Sequence, residues 1–384
     1  MRKLKMGMIG GGKNAFIGAI HRIAANMDGL VELHCGAFSS NPEISKESGK
    51  ELFLRDEKCY NSYEEMIVTE SLLPQDQRMD FVTIVTPNFA HFKPALMALD
   101  HGFHVLIDKP MTLTLDEAKQ LQQKVKETGL VLCLTHTYSG YPMVKQARKM
   151  VADGTLGKIR KVMVEYNQGW LTSLSENDGN KQAVWRTDPS KSGIAGCMGD
   201  IGTHAAQLAE YISGLKITKL CADINIVVEG RKLDDDGNVL LKFDNGANGI
   251  LVATQIATGE ENALKIKIYG EKAGLEWHQM EPNSLIIKWP DAPTQIYRAG
   301  ENYLSNIAKS NTRTPSGHPE GYLEAFANIY RNFALTLSSK LDGKEPTEAM
   351  LDFPTVDDGV RGMAFIENVI ASGKSDQKWF DFKI

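Results

Sequence analysis

A lysine, and an aspartate and a histidine that can form an acid/base pair, are the candidate chemical groups of this sequence. Lys109 follows the apolar run Val105–Ile107 and precedes Pro110. The run predicts a short buried strand, which the proline ends because it has no N–H for a central ladder. Ligands of open α/β sheets bind at the carboxyl ends of the strands. Lys109 is therefore a candidate site residue, although a turn lysine would show the same local pattern.

Asp200 and His204 form the second candidate group. The periodicity predicts a helix from Asp200 to Tyr211, and four-residue spacing places both side chains on one helix face. A carboxylate one turn from an imidazole can orient or charge the ring, which titrates near neutrality and can exchange a proton. The alternative is an aspartate that favours the helix dipole beside an unrelated buried histidine. A metal site is not expected, because no third Cys, His or carboxylate lies at ligand spacing.

The elements before Lys109 predict a dinucleotide-binding domain. Strand Leu4–Ile9 runs into a glycine-rich turn and then a helix. Glycines let the backbone approach a pyrophosphate, and the helix N-terminus offers free N–H groups. Gly10, Gly12 and Ala15 match G-x-G-x-x-A, while Gly18 is the alternative third small residue of a longer loop.

The predicted cofactor is NAD or NADP, with a slight preference for NADP. The second strand ends at Ser39 and Ser40, where an NAD-preferring site usually carries an acid for the ribose hydroxyls. Hydroxyl groups with Lys46 nearby leave room for a 2′-phosphate. Serines also hydrogen-bond a plain ribose, so both dinucleotides stay open.

Composition excludes several classes of protein. The 384 residues carry 43 basic and 48 acidic side chains, a net charge of −5, with no basic block. This argues against a nucleic-acid partner and against a polybasic membrane patch. No apolar run approaches the roughly 20 residues that span a bilayer, and the start of the chain predicts a strand rather than a signal peptide. Five widely spaced cysteines fit thiols in a reducing cytosol, so we expect a cytoplasmic protein.

Two domains are expected. Residues 1–135 alternate apolar strands with helices, which predicts an α/β Rossmann domain with a parallel sheet covered on both faces. Residues 136–384 contain strands that alternate apolar and polar residues, with turns at Asp236-Gly237 and Asn245-Gly246. They predict an α+β domain with a large, open, mostly antiparallel sheet. Its exposed face makes a homo-oligomer, a dimer or tetramer, the expected assembly.

Several motifs together resemble the Gfo/Idh/MocA oxidoreductases, the glucose–fructose oxidoreductase and inositol dehydrogenase family. The resemblance spans nearly the whole chain and rests on the glycine loop, Thr86-Pro87-Asn88 with His91, Asp108-Lys109-Pro110, Trp185-Arg186, and Asp200-Ile201-Gly202-Thr203-His204. Three features depart from the family pattern. The first loop is longer than usual, Asp108 replaces the commoner Glu, and the acid after the second strand is missing.

The resemblance implies an NAD(P)-dependent dehydrogenase or reductase acting on a secondary alcohol of a sugar, sugar derivative or cyclitol. Lys109, Asp200 and His204 are then expected at the nicotinamide. His204 would take the hydroxyl proton, Lys109 would hold the oxygen, and Asp200 would orient a hydroxyl or tune His204. The expected cofactor contacts are Gly10, Gly12, Asn14, Phe16, Ile17, Ser39, Ser40, Thr86, Pro87, Asn88, His91, Asp108, Lys109, Pro110, Trp185 and Arg186. His91 has helix packing as its alternative.

Substrate recognition is expected from side chains that stack on sugar rings and hydrogen-bond their hydroxyls, namely Tyr138, Tyr141, Trp170 and His318, beside the three catalytic residues. Two other functions remain open. A cofactor-sensing regulatory protein could keep this fold without turnover. An enzyme with a captive cofactor could oxidise a glycoside transiently to permit its cleavage.

Overall fold

The computed structural model describes residues 2–13 and 15–384. The chain divides into two compact units. The first contains the residues up to Thr135 together with Phe326–Val360, and the second contains His136–Ala325 and Arg361–Ile384. The domains predicted from the sequence, residues 1–135 and 136–384, stay a prediction. In the structure, the segment 326–360 belongs to the first unit.

Aromatic packing explains why this segment joins the first unit. The ring of Phe326 lies 4.7 Å from that of His21, and the ring of Phe333 lies 5.1 Å from that of Phe81, both edge to face. The helical spacing of Tyr322, Phe326 and Tyr330 predicts a buried stripe. Spacing alone does not say which surface the stripe covers.

The first unit is built on a five-stranded parallel sheet with the strand order β2-β1-β3-β4-β5. All five residues of β3 are buried, as expected for a strand covered on both faces. The strands are β1 (Leu4–Gly10), β2 (Val31–Ala37), β3 (Phe81–Val85), β4 (His104–Ile107) and β5 (Leu132–Leu134).

The helices of the first unit follow their local signals. They are α1 (Phe16–Asn26), α2 (Pro42–Glu51), α3 (Tyr63–Ser71), α4 (Phe92–Asp100) and α5 (Leu115–Thr128). Side chains of Asn41, Ser62 and Thr114 cap α2, α3 and α5, and Thr114 forms a capping box with Glu117. Gly129 ends α5 at a φ of +66°.

The second unit is built on a nine-stranded sheet with the order β13-β12-β11-β10-β6-β9-β8-β7-β14. The pair β6 and β9 is parallel, and the other neighbours are antiparallel. The strands are β6 (Ile159–Asn167), β7 (Ile217–Asn225), β8 (Asp236–Phe243), β9 (Asn248–Thr254), β10 (Ala263–Gly270), β11 (Gly274–His278), β12 (Ser284–Lys288), β13 (Gln295–Arg298) and β14 (Phe380–Asp381). The sequence did not predict the short strands β11 and β14.

The remaining helices are α6 (Pro142–Ala152), α7 (Lys181–Arg186), α8 (Pro189–Ser192), α9 (Thr203–Ser213), α10 (Asn306–Ser310), α11 (Tyr322–Leu341) and α12 (Val356–Gly373). A π-helical turn, Met198–Gly202, precedes α9. Among the described residues, no helix is both long and apolar enough to cross a lipid bilayer. All five cysteines are free thiols, as their wide spacing predicts.

Candidate active site

The glycine loop after β1 is tightly packed against α1. Gly10 and Gly11 have φ values of +79° and +70°, which favour glycine. A Cβ at Gly12 would lie 2.8 Å from the Phe38 carbonyl oxygen, and one at Gly18 would lie 2.4 Å from the Gly11 Cα. Gly18 is therefore the residue that lets the helix approach the loop. The structure favours the longer loop that the sequence left as an alternative to Ala15.

The start of α1 fits the diphosphate of a dinucleotide. Its N-cap residue is Ala15, whose side chain cannot accept a hydrogen bond, and the first turn has no acidic residue. Backbone N–H groups at such a helix end suit an anion. Arg22 Nη1 donates to the Gly11 carbonyl over 2.7 Å and fastens the loop to the helix. Phe16 is exposed and Ile17 half-buried in this first turn, while Asn14 lies outside the described residues.

The end of β2 offers hydroxyl groups. Ser39 Oγ accepts the Asn41 N–H over 3.1 Å, and Ser40 is exposed. Lys13 of the glycine loop forms ion pairs with α2, because its Nζ lies 2.7 Å from Glu47 and 3.0 Å from Glu51. Ser40 thus offers an exposed hydroxyl after β2, and its contact with a ribose stays a prediction.

His91 joins the loops after β3 and β4. Its Nδ1 lies 2.8 Å from the Pro110 carbonyl oxygen and its Nε2 lies 2.8 Å from the Thr86 carbonyl oxygen. Burial lowers the pKa of His91, so the ring is neutral and has one N–H to donate. Thr86 and Pro87 are half-buried and Asn88 is buried beside it. His91 thus positions the loop that contains Lys109, and its contact with a cofactor stays a prediction.

Lys109 is half-buried directly after β4, and its peptide bond to Pro110 is cis. Asp108 Oδ1 accepts the Lys109 N–H over 2.9 Å and the Thr135 hydroxyl over 2.8 Å. The carboxylate therefore holds its own loop. The predicted contact of Asp108 with a cofactor stays a prediction.

In the second unit, His204 is enclosed by aromatic rings. The rings of His136, Tyr138 and Tyr166 lie edge-on to it, with centroids 5.1, 4.8 and 6.2 Å away. His204 Nδ1 lies 3.3 Å from His136 Nδ1. Burial raises the pKa of both tyrosines, so their phenol groups are neutral at physiological pH. The imidazole of His204 is thus held in a fixed orientation.

A hydrogen-bonded group that we call the tyrosine–amide network lies beside these rings. Its members are Tyr138, Tyr166, Gln168, Gln255 and Asn262. Gln168, Gln255 and Asn262 flank the ends of β6, β9 and β10 at one edge of the sheet, where Asn167 pairs with Thr254 and Ala263. Three strands therefore bring together side chains that are far apart in sequence.

One indole N–H sets the direction of the network. Trp170 Nε1 can donate but not accept, and it lies 2.9 Å from Gln168 Oε1. Gln168 Nε2 must then donate to Asn262 Oδ1, over 2.8 Å, which leaves Asn262 Nδ2 to donate to the Tyr138 hydroxyl. Tyr138 donates to Tyr166, and Tyr166 donates back to Asn262 Oδ1 over 2.6 Å. Each phenol proton is committed within this ring.

Asp200 receives the other end of the network. Gln255 Nε2 donates to Asp200 Oδ2 over 2.9 Å and lies 3.3 Å from Gln168 Oε1. Arg186 Nε lies 3.3 Å from the same carboxylate oxygen. The Arg186 guanidinium lies over the Trp185 ring, 4.2 Å from its centroid, a cation–π distance. Trp185 and Arg186 thus form one wall around Asp200.

Asp200 lies in the π-helical turn, not in the regular helix that the sequence predicted. The Thr203 N–H donates to the Met198 carbonyl, an i to i+5 bond. Buried Asp234 shapes this turn, since its carboxylate accepts the Gly196 and Met198 N–H groups over 2.6 and 2.8 Å. Single π turns inside helices are frequent at functional sites. The i, i+4 relation to His204 therefore crosses a widened turn.

Family models match both parts of the chain. The model "Oxidoreductase family, NAD-binding Rossmann fold" matches residues 4–136, and the model "GFO/IDH/MocA C-terminal domain" matches residues 144–276. The chain belongs to the Gfo/Idh/MocA family. The family assignment, the fold class and the prediction of an oxidoreductase enzyme are thereby confirmed, and the first unit is an NAD-binding Rossmann domain.

Three proteins are similar to this chain over nearly its whole length. The uncharacterized oxidoreductase YfiI of Bacillus subtilis is 32% identical, covering 100% of this chain and 98% of its own. An oxidoreductase from Sinorhizobium meliloti is 40% identical, with a TM-score of 0.89 and coverage of 99% and 100%. The inositol dehydrogenase homolog from Azotobacter vinelandii, complexed with NAD+, is 32% identical, with a TM-score of 0.94 and coverage of 99% and 98%. The same Azotobacter protein is also known complexed with NADH and myo-inositol, at 31% identity and a TM-score of 0.91.

Two predicted substrate residues of this Gfo/Idh/MocA chain lie in different surroundings. Tyr141 is buried, stacks parallel to Tyr138 at 6.5 Å, and its hydroxyl lies 3.4 Å from Gln279 Nε2. His318 is exposed in a loop, with Nδ1 3.4 Å from the Ser316 carbonyl. Among the described residues, no three His, Cys, Asp or Glu side chains are grouped as metal ligands.

The sequence did not single out several residues that surround His204 and Asp200, namely His136, Tyr166, Asp234, Gln255 and Asn262. His136 alone had a usable signal, because it directly follows the last strand of the Rossmann sheet in a polar, aromatic segment. The others depend on strand pairing and on contacts distant in sequence.

Proposed function

We propose that the protein is an NAD(P)-dependent dehydrogenase or reductase that acts on a secondary alcohol, or the matching ketone, of a cyclitol, sugar or sugar derivative. The observation that carries the proposal is the fixed imidazole of His204, enclosed by aromatic rings and four residues from Asp200. The Azotobacter complex with NADH and myo-inositol supports this substrate class.

The roles of the residues follow from their chemistry. The bound nicotinamide would supply the two-electron acceptor or donor. His204 would accept the hydroxyl proton as the alcohol is oxidised. The Lys109 ammonium would donate a hydrogen bond to the substrate oxygen and stabilise the negative charge that develops on it. Asp200, held by Gln255 and Arg186, would orient a neighbouring hydroxyl.

The surroundings of His204 suit a polyol. Trp170 and Tyr138 offer apolar ring faces with committed polar groups, and Asp200 accepts hydrogen bonds from hydroxyls. A substrate that combines C–H faces with several hydroxyl groups satisfies both features. Tyr141 and His318 stay predicted substrate contacts.

We expect Lys109→Ala and His204→Ala each to lower kcat/KM by about 10³-fold or more, because each removes a group that stabilises charge or accepts a proton in the reaction. Activity is followed by reduced-nicotinamide absorbance over a panel of cyclitols and sugars. Dinucleotide binding, measured by calorimetry, should persist in His204→Ala. Lys126→Ala and His101→Ala serve as matched controls on α5 and after α4. Full activity of the double variant Lys109→Ala/His204→Ala would contradict the proposal.

Two alternatives have distinct outcomes in the same experiment. A regulatory protein would bind the dinucleotide and turn over no member of the panel, and His204→Ala would change nothing. An enzyme with a captive cofactor would retain nicotinamide through purification and consume a glycoside without net reduction. The presence of Lys109, Asp200 and His204 together supports net turnover, since a sensor needs no proton acceptor.

We propose that the site takes either dinucleotide and favours NADP, because Ser40 is exposed and no acid follows β2. Dissociation constants for NAD and NADP decide this. Ser40→Asp should shift the preference toward NAD by roughly tenfold or more, because a carboxylate repels a 2′-phosphate and accepts hydrogen bonds from ribose. Tighter binding of NAD by the unmodified protein would overturn the preference.

We also propose that the open face of the second sheet joins copies of the chain. Leu240, Ile250 and Met163 lie side by side on three neighbouring strands and alternate with buried residues. Met163 and Leu240 are exposed, so an apolar row crosses this face. Sedimentation should show a dimer or tetramer. The double variant Met163→Glu/Leu240→Glu should have a lower assembly mass than the wild type. A wild-type monomer would refute the assembly.

A further inference from the structure

The contact between His136 and His204 constrains where their protons lie. Both side chains are buried, with 2% and 7% exposure, and their Nδ1 atoms lie 3.3 Å apart. A neutral imidazole carries one proton, on either Nδ1 or Nε2. Two Nδ1 protons would clash and two lone pairs would repel. When both rings are neutral, they must therefore have opposite tautomers.

The proposed chemistry selects one of the two arrangements. Because Nδ1 of His204 faces His136, Nε2 is the nitrogen that exchanges a proton with substrate. Before the transfer Nε2 needs a lone pair, so the His204 proton must be on Nδ1. After the transfer His204 has protons on both nitrogens. Nδ1–H of His204 therefore donates to His136 throughout the reaction.

We infer that His136 is a positioning residue that accepts the Nδ1 proton of His204 and so fixes the tautomer in which His204 Nε2 is basic. The inference rests on the proposed function for the role of His204. A hydrogen bond at one ring nitrogen is the usual means of setting the state of the other. A carboxylate more often supplies it, whereas here the acceptor is a second imidazole.

Neighbouring groups keep this pair in place. Tyr138 and Tyr166 face the His204 ring edge-on, and both phenol protons are committed to the tyrosine–amide network. The negative charge of Asp200 acts on both phenols and disfavours their ionisation. The two tyrosines therefore stay neutral and place no charged phenolate against the His204 ring.

Nitrogen NMR of histidine-labelled full-length protein reads the tautomers directly, without turnover. The chain has nine histidines. The signals that disappear in His204→Asn belong to His204, and those that disappear in His136→Asn belong to His136. At a pH above the titration range of both rings, we expect the proton of His204 on Nδ1 and the proton of His136 on Nε2. The opposite pair of tautomers would overturn the inference, even if His204→Ala abolishes activity. Retained activity of His204→Ala would instead refute the proposed function and leave the tautomer result standing.

Substitution at His136 separates a positioning role from simple packing. His136→Phe keeps a ring without an acceptor, and we expect kcat/KM to fall about 10–100-fold. His136→Asn offers an amide oxygen near the Nδ1 position and should recover most of this loss. In His136→Phe the NMR signals of His204 should show both tautomers. Equal losses in the Asn and Phe variants, with an unchanged His204 tautomer and unchanged melting temperature, would refute the role.

Discussion

Two buried polar groups, one in each unit, both contain tyrosine hydroxyls but differ in the charge of their other members. In the first unit, Glu70 Oε1 accepts from Lys58 Nζ over 2.7 Å and from the Tyr60 hydroxyl over 2.8 Å, and Oε2 accepts the Met79 N–H over 2.8 Å. We call Lys58, Tyr60 and Glu70 the Glu70 cluster. In the second unit, the tyrosine–amide network is built of neutral phenols and amides.

The difference concerns where each group ends. The Glu70 cluster is closed, because its charges cancel and both carboxylate oxygens are bonded within the first unit. The tyrosine–amide network ends at Asp200 and borders His204, two groups that can exchange or receive protons. Buried charge by itself therefore does not mark a reactive site. An ordered set of neutral donors that ends at a titratable side chain is the more informative feature.

The largest expected effect is on the Glu70 cluster. Lys58→Met keeps the length of the side chain and leaves the buried Glu70 carboxylate without its cation. We expect the free energy of unfolding to fall by about 3–5 kcal/mol, since removing one partner of a buried ion pair leaves an uncompensated charge. Chemical denaturation followed by circular dichroism measures the change. At a temperature where the variant is folded, kcat should be unchanged.

Lys50→Met is the matched control for this prediction. Lys50 Nζ lies 3.9 Å from Asp56 and both side chains are largely exposed, 65% and 79%. Exposed pairs contribute little to stability, so no shift of the denaturation midpoint is expected. A similar loss in both lysine variants would show that the Glu70 cluster is no different from a surface ion pair.

Local signals in the sequence predict most of the fold. Glycine after β1, the caps Ser62 and Thr114, and Gly129 each fix an element boundary through nearby residues. The predicted parallel and antiparallel sheets follow from buried and alternating strands. The short β11 and the return of residues 326–360 to the first unit do not follow, because both depend on which distant surface is available for pairing or packing.

The candidate site is less predictable for the same reason. The spacing of Asp200 and His204 predicts one regular helix, but the π turn depends on Asp234, more than thirty residues later in the chain. The tyrosine–amide network requires β6 to pair with both β9 and β10. Sequence spacing identifies the chemical groups, and strand register determines their neighbours.

A third buried group, His21, differs from both because its ring nitrogens do not have a full set of hydrogen bonds. Its Nδ1 lies 2.8 Å from the Tyr330 hydroxyl, and its Nε2 has no hydrogen-bond partner in the described part of the chain. Burial lowers the pKa of His21 to about 4 from 6.5. The unfolded chain therefore binds a proton at a higher pH than the folded chain does.

The free energy of unfolding should consequently decrease as the pH is lowered from 6.5 toward 4. The His21 contribution is complete above pH 6.5 and decreases as the pH falls toward 4, by up to about 3 kcal/mol. Free energies of unfolding of the wild type and of His21→Leu, measured between pH 7 and pH 4.5, isolate this part from the carboxylates common to both. Parallel pH profiles for the two proteins would show that His21 is not protonated on unfolding.

The smallest expected effect on stability is in the tyrosine–amide network, where it is coupled to activity. Gln168→Leu leaves Trp170 Nε1, Asn262 Oδ1 and Gln255 Nε2 each without one partner. We expect a loss of about 1–3 kcal/mol, because neutral groups cost less to leave unpaired than a buried carboxylate does. We also expect kcat/KM to fall about tenfold or more, since Asp200 loses its support through Gln255.

Gln168→Glu separates these two effects. A glutamate at this position retains acceptor oxygens for Trp170 and Gln255 but cannot donate to Asn262 Oδ1. Asp200 should then remain oriented, so kcat/KM should recover more than stability does. Gln123→Leu, which removes a bond to Glu127 on the surface of α5, controls for loss of an amide. Equal recovery of kcat/KM and stability in Gln168→Glu would mean that the network only packs the second unit. A directional role requires the acceptor oxygen of Gln168 to affect Asp200 and its donor N–H group to affect the tyrosines.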